Sequence, residues 1–420
     1  MATIIPLMRH VGRWVGLALA IGLAAGLASA LFLVSLAWVT QLQTTNWWLL
    51  LCLPLLGGLV AWLYQRFGQR VAAGNNLIIE QLHNPDAAGI PLRMAPLVLL
   101  GTLLTHLGGG SAGREGTAVQ MGASLAAQLG RCWRLPQAEL RLVLMMGMSA
   151  GFGSVFGTPI AGTIFALEVL AFGVLRYEAV LPCLAAALVG DGVVRWLNIV
   201  HSHYQVASVP DLGSIWAWLL GAGICFGLVS RAFVIWIELV QSRSRRWLPN
   251  PILRAMLGGL VIVIISFLLN TRDYNGLSLP LLAQAFELQG VVPWAFAIKL
   301  LLTGLTLGVG FKGGEVTPLF VIGATLGSAL AQLFGLPSDL LAALGLIAVF
   351  AGAANTPIAC VLMGIELFGS ALLVPLMLTT VIAYTISGHR GIYAAQRVGW
   401  AKRHNLAEHT GKRLDELEAD

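Results

Sequence analysis

Two glutamates that each follow a glycine-rich turn are the residues of this sequence best suited to chemistry. Glu115 lies in the segment GGGSAGREGT (residues 108–117), and Glu315 lies in GVGFKGGEVT (residues 308–317). Glycines let backbone N–H groups approach an anion, and a helix that starts after the turn adds the positive end of its dipole. A carboxyl group there can exchange protons and, when charged, can itself occupy an anion site. The alternative is simple stabilisation of a helix N-terminus.

The composition places these glutamates inside a membrane. Hydrophobic residues make up 57% of the 420 residues and charged residues only 10%, against about 25% in soluble domains. Ionisable groups within a bilayer are costly and usually functional, which favours a functional role for both glutamates. Both turns also match the G-x-G-x-x-G pattern of dinucleotide-binding folds, but that fold needs a preceding strand that the sequence does not indicate.

Long apolar runs predict the membrane helices that position the two turns. They cover residues 14–39, 47–64, 94–107, 142–175, 179–194, 215–240, 252–269, 291–310, 319–334, 340–368 and 371–386. A spanning helix needs about 20 apolar residues, and these runs range from much shorter to much longer, which favours tilted, broken and re-entrant helices. The first run is longer than the roughly 7–15 residues of a signal-peptide core, so we interpret it as a membrane helix.

Basic residues outside the runs indicate the orientation, because arginine and lysine are enriched on the cytoplasmic side of membrane proteins. The residues assigned to the cytoplasm in this way are Arg9, Arg13, Arg243, Arg245, Arg246, Lys402 and Arg403. The net charge of +6 then follows from this bias, and no nucleic acid partner is expected.

The chain contains an internal repeat. The segment TPIAGTIFALE at residues 158–168 is matched 198 residues later by TPIACVLMGIE at 356–366, and the two glycine turns are 200 residues apart. Duplicated halves are common in transporters, whose substrate sites lie near the membrane midplane. We therefore predict a first membrane repeat over residues 1–200, a second, inverted repeat over 201–400, and a short cytoplasmic tail over 401–420.

Four further polar positions have open or structural interpretations. Glu168 and Glu366 end the repeated segments and either pair with arginines or cap neighbouring helices. His106 precedes the first turn and is either structural or part of a proton relay. Ser149 lies in a G-x-S-x-G pattern that resembles hydrolase motifs, but the histidines that follow it lie outside the apolar runs, so a base within reach of the nucleophile is not indicated.

The motifs resemble those of a known family. GGGSAGREGT followed by AVQMG is similar to the GREGP signature of the CLC anion channels and exchangers, and GGEVTPLFVIGATLG is similar to their GGxFxP segment. The resemblance runs from about Arg13 to Trp400. It implies an all-α polytopic membrane protein with a CLC-like inverted repeat, forming a homodimer in the bacterial inner (plasma) membrane, without metal or cofactor.

Several departures from the family pattern resemble its fluoride-exporting branch, which exchanges fluoride for protons. Asn75, in GNNLI, replaces the central serine of GSGIP, and Thr117 replaces the proline of GREGP. Glu315 stands where chloride-selective members have an apolar residue. The internal proton-transfer glutamate of the family aligns with Val169, because Glu168 falls one residue early.

Fluoride is small and strongly hydrated, so its site must offer strong donors. Asn75 offers an amide, with helix N-capping as its alternative role, and Thr117 offers a hydroxyl while keeping its N–H. By resemblance, the N–H groups of Glu315 and Val316 and the hydroxyl of Tyr393 complete the site, with a membrane-interface role as the alternative for Tyr393. The remaining anion-binding candidates of the two turns are Gly113, Arg114, Gly116 and Thr317.

The resulting hypothesis is a fluoride/proton antiporter in which ionised Glu115 competes with the anion for a path shared with Asn75. Since Val169 cannot carry a proton, Glu315 or HF itself supplies the inner proton route. The expected partners are fluoride, with chloride as the alternative anion, protons and the lipid bilayer. The alternatives are a chloride/proton exchanger or passive chloride channel of the same fold, and an intramembrane hydrolase that uses Ser149.

Overall fold

The protein is described here by a computed structural model, which covers residues 4–84, 89–202, 204–207, 212–288, 290–402 and 408–417. The first half contains α1 (Ile4–Thr45), α2 (Leu53–Phe67), α3 (Asn75–His83), α4 (Met94–Leu107), α5 (Glu115–Cys132), α6 (Gln137–Phe156), α7 (Pro159–Glu168) and α8 (Val180–Trp196). The second half contains α9 (Leu212–Trp247), α10 (Pro251–Leu268), α11 (Leu279–Gln284), α12 (Ala295–Gly308), α13 (Val316–Phe334), α14 (Ser338–Ala354), α15 (Pro357–Phe368) and α16 (Leu373–Ile386). Two short parallel strands, β1 (Ala171–Phe172) and β2 (Arg397–Val398), pair with each other.

Seven helical segments of the described chain are long and apolar enough to cross a membrane. They are Gly12–Thr45, Trp47–Phe67, Gln137–Phe156, Tyr177–Trp196, Gly213–Trp247, Pro251–Leu268 and Val316–Phe334. Other apolar helices, such as α7 and α15, are shorter than the about 20 residues that a span requires. This mixture confirms the expected all-α membrane protein with broken helices.

The two longest apolar runs each break into two helices at the same kind of sequence. In the first half, α6 ends at Gly157, which has a left-handed φ of 73°, and Pro159 begins α7. In the second half, Asn355 has a left-handed φ of 57° and Pro357 begins α15. A left-handed residue favours the end of a helix, and proline is favoured at the first position of the next one.

Two carboxylates show that the halves are inverted relative to each other. Glu168 at the end of α7 accepts hydrogen bonds from two N–H groups at the start of α15, at 3.1 and 2.8 Å. Glu366 at the end of α15 accepts two from the start of α7, at 3.0 and 2.7 Å. The equivalent helices of the two repeats therefore pack antiparallel, and of the two roles predicted for these glutamates it is the helix cap that is observed.

Glycine contacts bring the helices around each turn into close packing. A Cβ at Gly122 of α5 would lie 2.2 Å from the carbonyl oxygen of Gly147 in α6. A Cβ at Gly323 of α13 would lie 2.1 Å from the carbonyl oxygen of Gly345 in α14. Small residues at helix interfaces allow this close approach of backbones in membranes, so each half holds its turn-bearing helix rigidly against the next helix.

The two ends of the molecule differ in charge. Helix α9 finishes with the cluster Arg243, Arg245 and Arg246, and Arg390 at the end of the chain pairs with Glu238 of α9 at 3.2 Å. We call this the basic end. His201, which lies between α8 and α9 in the sequence, precedes the start of α9 and is therefore at the opposite end.

Candidate functional site

The two glycine turns meet each other directly. The N–H of Gly113 donates to the carbonyl oxygen of Gly314 at 2.6 Å, and the N–H of Gly314 donates back at 2.8 Å. Side chains would not fit here, because a Cβ at Gly314 would lie 2.9 Å from the backbone nitrogen of Gly116. Helices α5 and α13 both start within two residues of this bridge, so two helix N-termini with their free N–H groups converge on one place.

Glu115 is fully buried, and its carboxylate binds the N-terminus of α13 in the other half. Oε2 accepts hydrogen bonds from the backbone N–H of Thr317 at 3.0 Å and from that of Arg114 at 3.1 Å. Oε1 accepts from the hydroxyl of Thr317, and the guanidinium Nε of Arg114 lies 3.5 Å away. Three donors and one cation thus surround one carboxylate, which is the environment that an anion requires.

A small outer cavity of about 40 Å³ reaches Glu115 from the end opposite the basic one. Arg114, Thr317 and His201 are among the residues that line it. His201 Nε2 lies 2.9 Å from the carbonyl oxygen of Ser154, and burial lowers the pKa of this imidazole below its ordinary value of 6.5. Arg114 is therefore the cation that this cavity presents at neutral pH.

An inner cavity of about 190 Å³ reaches the turns from the basic end. Its lining includes Asn75, Gln120, Lys312, Glu315 and Tyr393. Glu315 is the residue immediately before α13, and the N-terminus of α3, which starts at Asn75, opens into the same space. The cavity therefore brings three of the predicted site residues together with two polar residues that the sequence did not single out.

Asn75 presents its amide nitrogen towards the first turn. A Cβ at Gly116 would lie 3.2 Å from Asn75 Nδ2 and 3.8 Å from Glu315 Oε2, so the amide and the carboxylate face the same side of Gly116. Asn75 Oδ1 is buried and has no hydrogen-bond partner among the described residues. The N-cap position of α3 is occupied by Gly74, and Asn75 is the first residue of the helix, which disfavours the N-capping alternative.

Tyr393 lies on the segment after α16 and is held in place from two sides. It is buried, and its ring packs edge-on against Phe165 of α7 with centroids 6.1 Å apart. Two residues further on, the N–H of Ala395 donates to Asn76 Oδ1 at 3.0 Å. Asn76 thus fastens the segment that bears Tyr393 to the start of α3, next to Asn75.

The threonines of the two turns differ in what they contact. Thr317 donates to Glu115 through both its N–H and its hydroxyl. Thr117 is buried, and its hydroxyl hydrogen-bonds to that of Thr102 at 2.7 Å, away from both cavities. Val316, the first residue of α13, is buried and offers only its backbone.

Glu115 and Asn75 lie close together but line different cavities. The outer cavity contains Glu115, and the inner cavity contains Asn75 and Glu315. Gly116 directly follows Glu115 and contacts Asn75, so a single residue separates the two. The shared path expected from the sequence is therefore interrupted at the turns, where the carboxylate of Glu115 takes the donors on which an anion would rest.

Two polar residues that the sequence analysis missed gave recognisable signals. Gln120 lies one helical turn after Gly116 and therefore shares its face of α5. Lys312 is a charged residue in the second glycine turn, between two apolar runs and three residues before Glu315, and a charge at such a depth in a membrane protein usually indicates a functional position. Both line the inner cavity.

The remaining polar candidates have structural roles in this arrangement. Ser149 is buried and donates to the carbonyl oxygen of Cys183 at 3.0 Å, so its hydroxyl is engaged in helix packing. The two ring nitrogens of His106 lie 2.8 Å from the carbonyl oxygen of Thr102 and 3.1 Å from that of Ala112, which fastens the first turn. Among the described residues, no group of three or more His, Cys, Asp or Glu side chains could hold a metal ion.

Comparison with known sequences supports the same family. The model of a family described as voltage-gated chloride channel matches residues 56–388. A chloride/fluoride channel protein of Pseudomonas syringae pv. tomato is 46% identical over 408 residues, covering 95% of this chain and 90% of that protein. The voltage-gated ClC-type chloride channel ClcB of Salmonella typhi is 28% identical over 384 residues, covering 86% and 88%.

Solved structures share this architecture. The crystal structure of a CLC-type fluoride/proton antiporter has a TM-score of 0.89 and 39% sequence identity, and the match covers 92% of this chain and 98% of that one. The X-ray structure of a slow cyanobacterial Cl⁻/H⁺ antiporter has a TM-score of 0.79 at 23% identity, covering 91% and 96%.

Proposed function

The chain belongs to the voltage-gated chloride channel (CLC) family, and from this premise we propose that it is a fluoride/proton antiporter that exports fluoride. The substrate is inferred from the Pseudomonas relative, whose name includes fluoride, and from the similar fluoride/proton antiporter structure. The chain would then act as a secondary active transporter that confers resistance to fluoride.

The observation that carries the proposal is the position of the Glu115 carboxylate on the donors of Thr317 and Arg114. Hydrogen bonds to a charged acceptor contribute about 1.5–3 kcal/mol each, against about 0.5–1.5 kcal/mol for neutral ones. Protonation therefore loosens the hold of α13 on Glu115. Fluoride, which keeps its charge, then takes the vacated donors.

This competition couples the two ions. Ionised Glu115 closes the route between the cavities, and protonated Glu115 opens it. Each opening requires a proton, which leaves on the side from which fluoride came. Fluoride therefore moves one way and protons move the other way, with Glu115 as the residue common to both.

The inner proton route passes through Glu315 in this proposal, with HF as the alternative carrier. Val169 is buried and cannot titrate, and Glu168 uses both carboxylate oxygens to cap α15. Glu315 lines the inner cavity, and its carboxylate lies beside the Asn75 amide at the same face of Gly116. It is the carboxyl group closest along the chain to the donors of Thr317.

Asn75 supplies the inner donor for fluoride. Its Nδ2 group lies beside Gly116, and the residue lines the inner cavity, so the amide offers a donor to an ion there. Tyr393 completes the wall of the cavity. Strong, directional donors compensate best for the dense hydration that fluoride loses.

The direct test is ion transport by the purified protein in liposomes. Vesicles loaded with fluoride are diluted into fluoride-free medium, and a fluoride electrode and an external pH probe record both ions. The proposal expects fluoride efflux accompanied by proton uptake, even against a proton gradient. Fluoride efflux without proton movement would indicate a passive channel, and proton uptake driven equally well by chloride would indicate a chloride/proton exchanger.

Membrane orientation and assembly follow from charge and from surface apolarity. The basic end faces the cytoplasm by the positive-inside rule, in the bacterial inner membrane, so the inner cavity takes up cytoplasmic fluoride. Residues 1–200 and 201–400 form the two repeats, and 401–420 form a cytoplasmic tail.

Ile160 of α7 and Ile358 of α15 occupy equivalent repeat positions and are 47% and 48% exposed, which supports a homodimer that forms through this pair of helices.

A further inference from the structure

We propose that Lys312, Arg245 and Arg254 form an anion-docking site at the basic end, which collects small hydrated monovalent anions before they reach Asn75. The inference rests on the proposed function, because the site lies on the same ion route. It adds a step that precedes the discrimination between anions. The anion is first held by charge alone and then binds to the hydrogen-bond donors of the inner cavity.

The site is a cavity of about 350 Å³ next to the inner cavity. Lys312, Arg245 and Arg254 line it, and every other lining residue is uncharged. Three cations without an acidic neighbour in the lining give this cavity a positive potential, and low-dielectric walls focus such a field on the space between them.

None of the three cations is held in a contact ion pair, and the carboxylate of Glu315 in the inner cavity acts on Lys312 only through space. Arg254 donates to the carbonyl oxygens of Val309 at 3.3 Å and Leu248 at 3.1 Å. Lys312 Nζ donates to the carbonyl oxygen of Ala72 at 3.1 Å. These acceptors are neutral, and over the ranges that the structure covers no Asp or Glu oxygen lies within 4.0 Å of the three cationic groups.

The docking site leads into the inner cavity. The two cavities share the lining residues Tyr64, Ala72, Gln241, Leu307, Phe311 and Lys312. Lys312 stands at this boundary, with Nζ 4.4 Å from the centroid of the Tyr64 ring. An anion that moves from the basic end to Asn75 therefore passes the Lys312 ammonium group, which can exchange the carbonyl oxygen of Ala72 for the anion.

Recognition at this site depends on charge and not on ion size. Arg245 is exposed, so an anion there keeps most of its water, and its attraction to the site is screened by salt over about 8–10 Å. The site therefore binds fluoride and chloride alike. Discrimination between the two remains with the amide of Asn75.

The test compares Arg245→Gln with the matched control Arg246→Gln, which removes a neighbouring exposed charge that does not line the cavity. Fluoride efflux from liposomes is measured against internal fluoride concentration at low and high ionic strength. Arg245→Gln is expected to raise the half-saturating fluoride concentration about threefold at low ionic strength. This is the loss in affinity expected when one unit charge roughly 5 Å from the anion is removed in water. The difference should shrink at high ionic strength, with the maximal rate and proton:fluoride ratio unchanged.

Equal behaviour of the two variants, or an effect that salt does not reduce, would overturn the docking site. Absence of fluoride transport in the unmodified protein would instead overturn the proposed function. A second variant covers a failure of Arg245→Gln to fold: Arg245→Cys is treated in detergent with a trimethylammonium or a sulfonate thiosulfonate reagent. The cationic adduct should restore the half-saturating concentration and the anionic adduct should raise it further, with the treated parent as control for the native cysteines.

Discussion

Replacing Asn75 with serine should reduce the preference for fluoride without closing the route. The change removes the amide whose nitrogen lies 3.2 Å from where a Cβ at Gly116 would be, and leaves a shorter side chain with one hydroxyl. The backbone of α3 and the attachment of the Tyr393 segment through Asn76 remain. The perturbation is therefore confined to one donor group in the inner cavity.

The expected magnitude follows from the loss of that donor. A hydrogen bond to a charged partner contributes about 1.5–3 kcal/mol, which corresponds to roughly 10- to 150-fold in affinity. The serine hydroxyl recovers part of this, so we expect about a tenfold loss in fluoride affinity. Chloride, which is larger and less strongly hydrated, gains less from the amide and should be affected less.

Fluoride and chloride electrodes applied to the same liposome preparation give the ratio of the two half-saturating concentrations. Asn75→Asp provides the matched control, because it keeps the shape of the side chain but replaces the donor with a negative charge, and should abolish anion entry. An unchanged fluoride:chloride ratio in Asn75→Ser, with normal thermal stability, would refute the assignment of selectivity to this amide.

Three other substitutions distinguish residues that control the ion route from residues that only stabilise the fold. Thr317→Val removes the hydroxyl that donates to Glu115. Because ionised Glu115 and fluoride use this donor in turn, both lose one charge-assisted bond, and the half-saturating fluoride concentration should change by less than the about tenfold expected if only one of them used it. A tenfold change in either direction would contradict competition for this donor. Glu168→Gln should lower the free energy of unfolding by about 1–3 kcal/mol in thermal unfolding, because the cap on α15 weakens. The proton:fluoride ratio should stay constant, and a changed ratio would make Glu168 part of the proton route. Burial lowers the pKa of His201 below its ordinary value of 6.5, so in the folded protein its imidazole is mostly neutral from pH 6.5 upwards. His201→Gln should therefore leave the rate–pH profile between pH 6.5 and 8 unchanged, and a shifted profile would refute this.

The architecture was largely predictable because it is repeated in the sequence. Two matching turns and two matching TPIA segments at nearly one spacing indicate two similar halves, and apolar runs too long for one span predict a break. The sequence also carries a signal at the residues where the helices end, since Gly157 and Asn355 each precede a Thr-Pro pair. The inversion of the halves became certain only from the reciprocal caps of Glu168 and Glu366, which are formed between residues about 190–200 positions apart.

The details of the site depend on contacts that spacing does not encode. Thr117 was expected to offer its hydroxyl to the anion, but that hydroxyl bonds to Thr102, a partner set by how α4 packs on α5. The cavity at the basic end brings together Lys312, Arg245 and Arg254 from three elements. Such convergence depends on the relative rotation of helices, which a single sequence does not specify.

The central claim is that Glu115 and fluoride compete for the same donors, and proton transport by Glu115→Gln tests it most directly. Liposomes loaded with fluoride are placed in a medium of lower proton concentration, and proton uptake is followed beside fluoride efflux. A matched control, Glu366→Gln, removes a carboxylate that caps α7 outside the route between the turns.

The account predicts that the unmodified protein and Glu366→Gln take up protons against the gradient as fluoride leaves. Glu115→Gln should release fluoride with no proton uptake. Uphill proton uptake by Glu115→Gln at a rate comparable to that of the unmodified protein would contradict the claim.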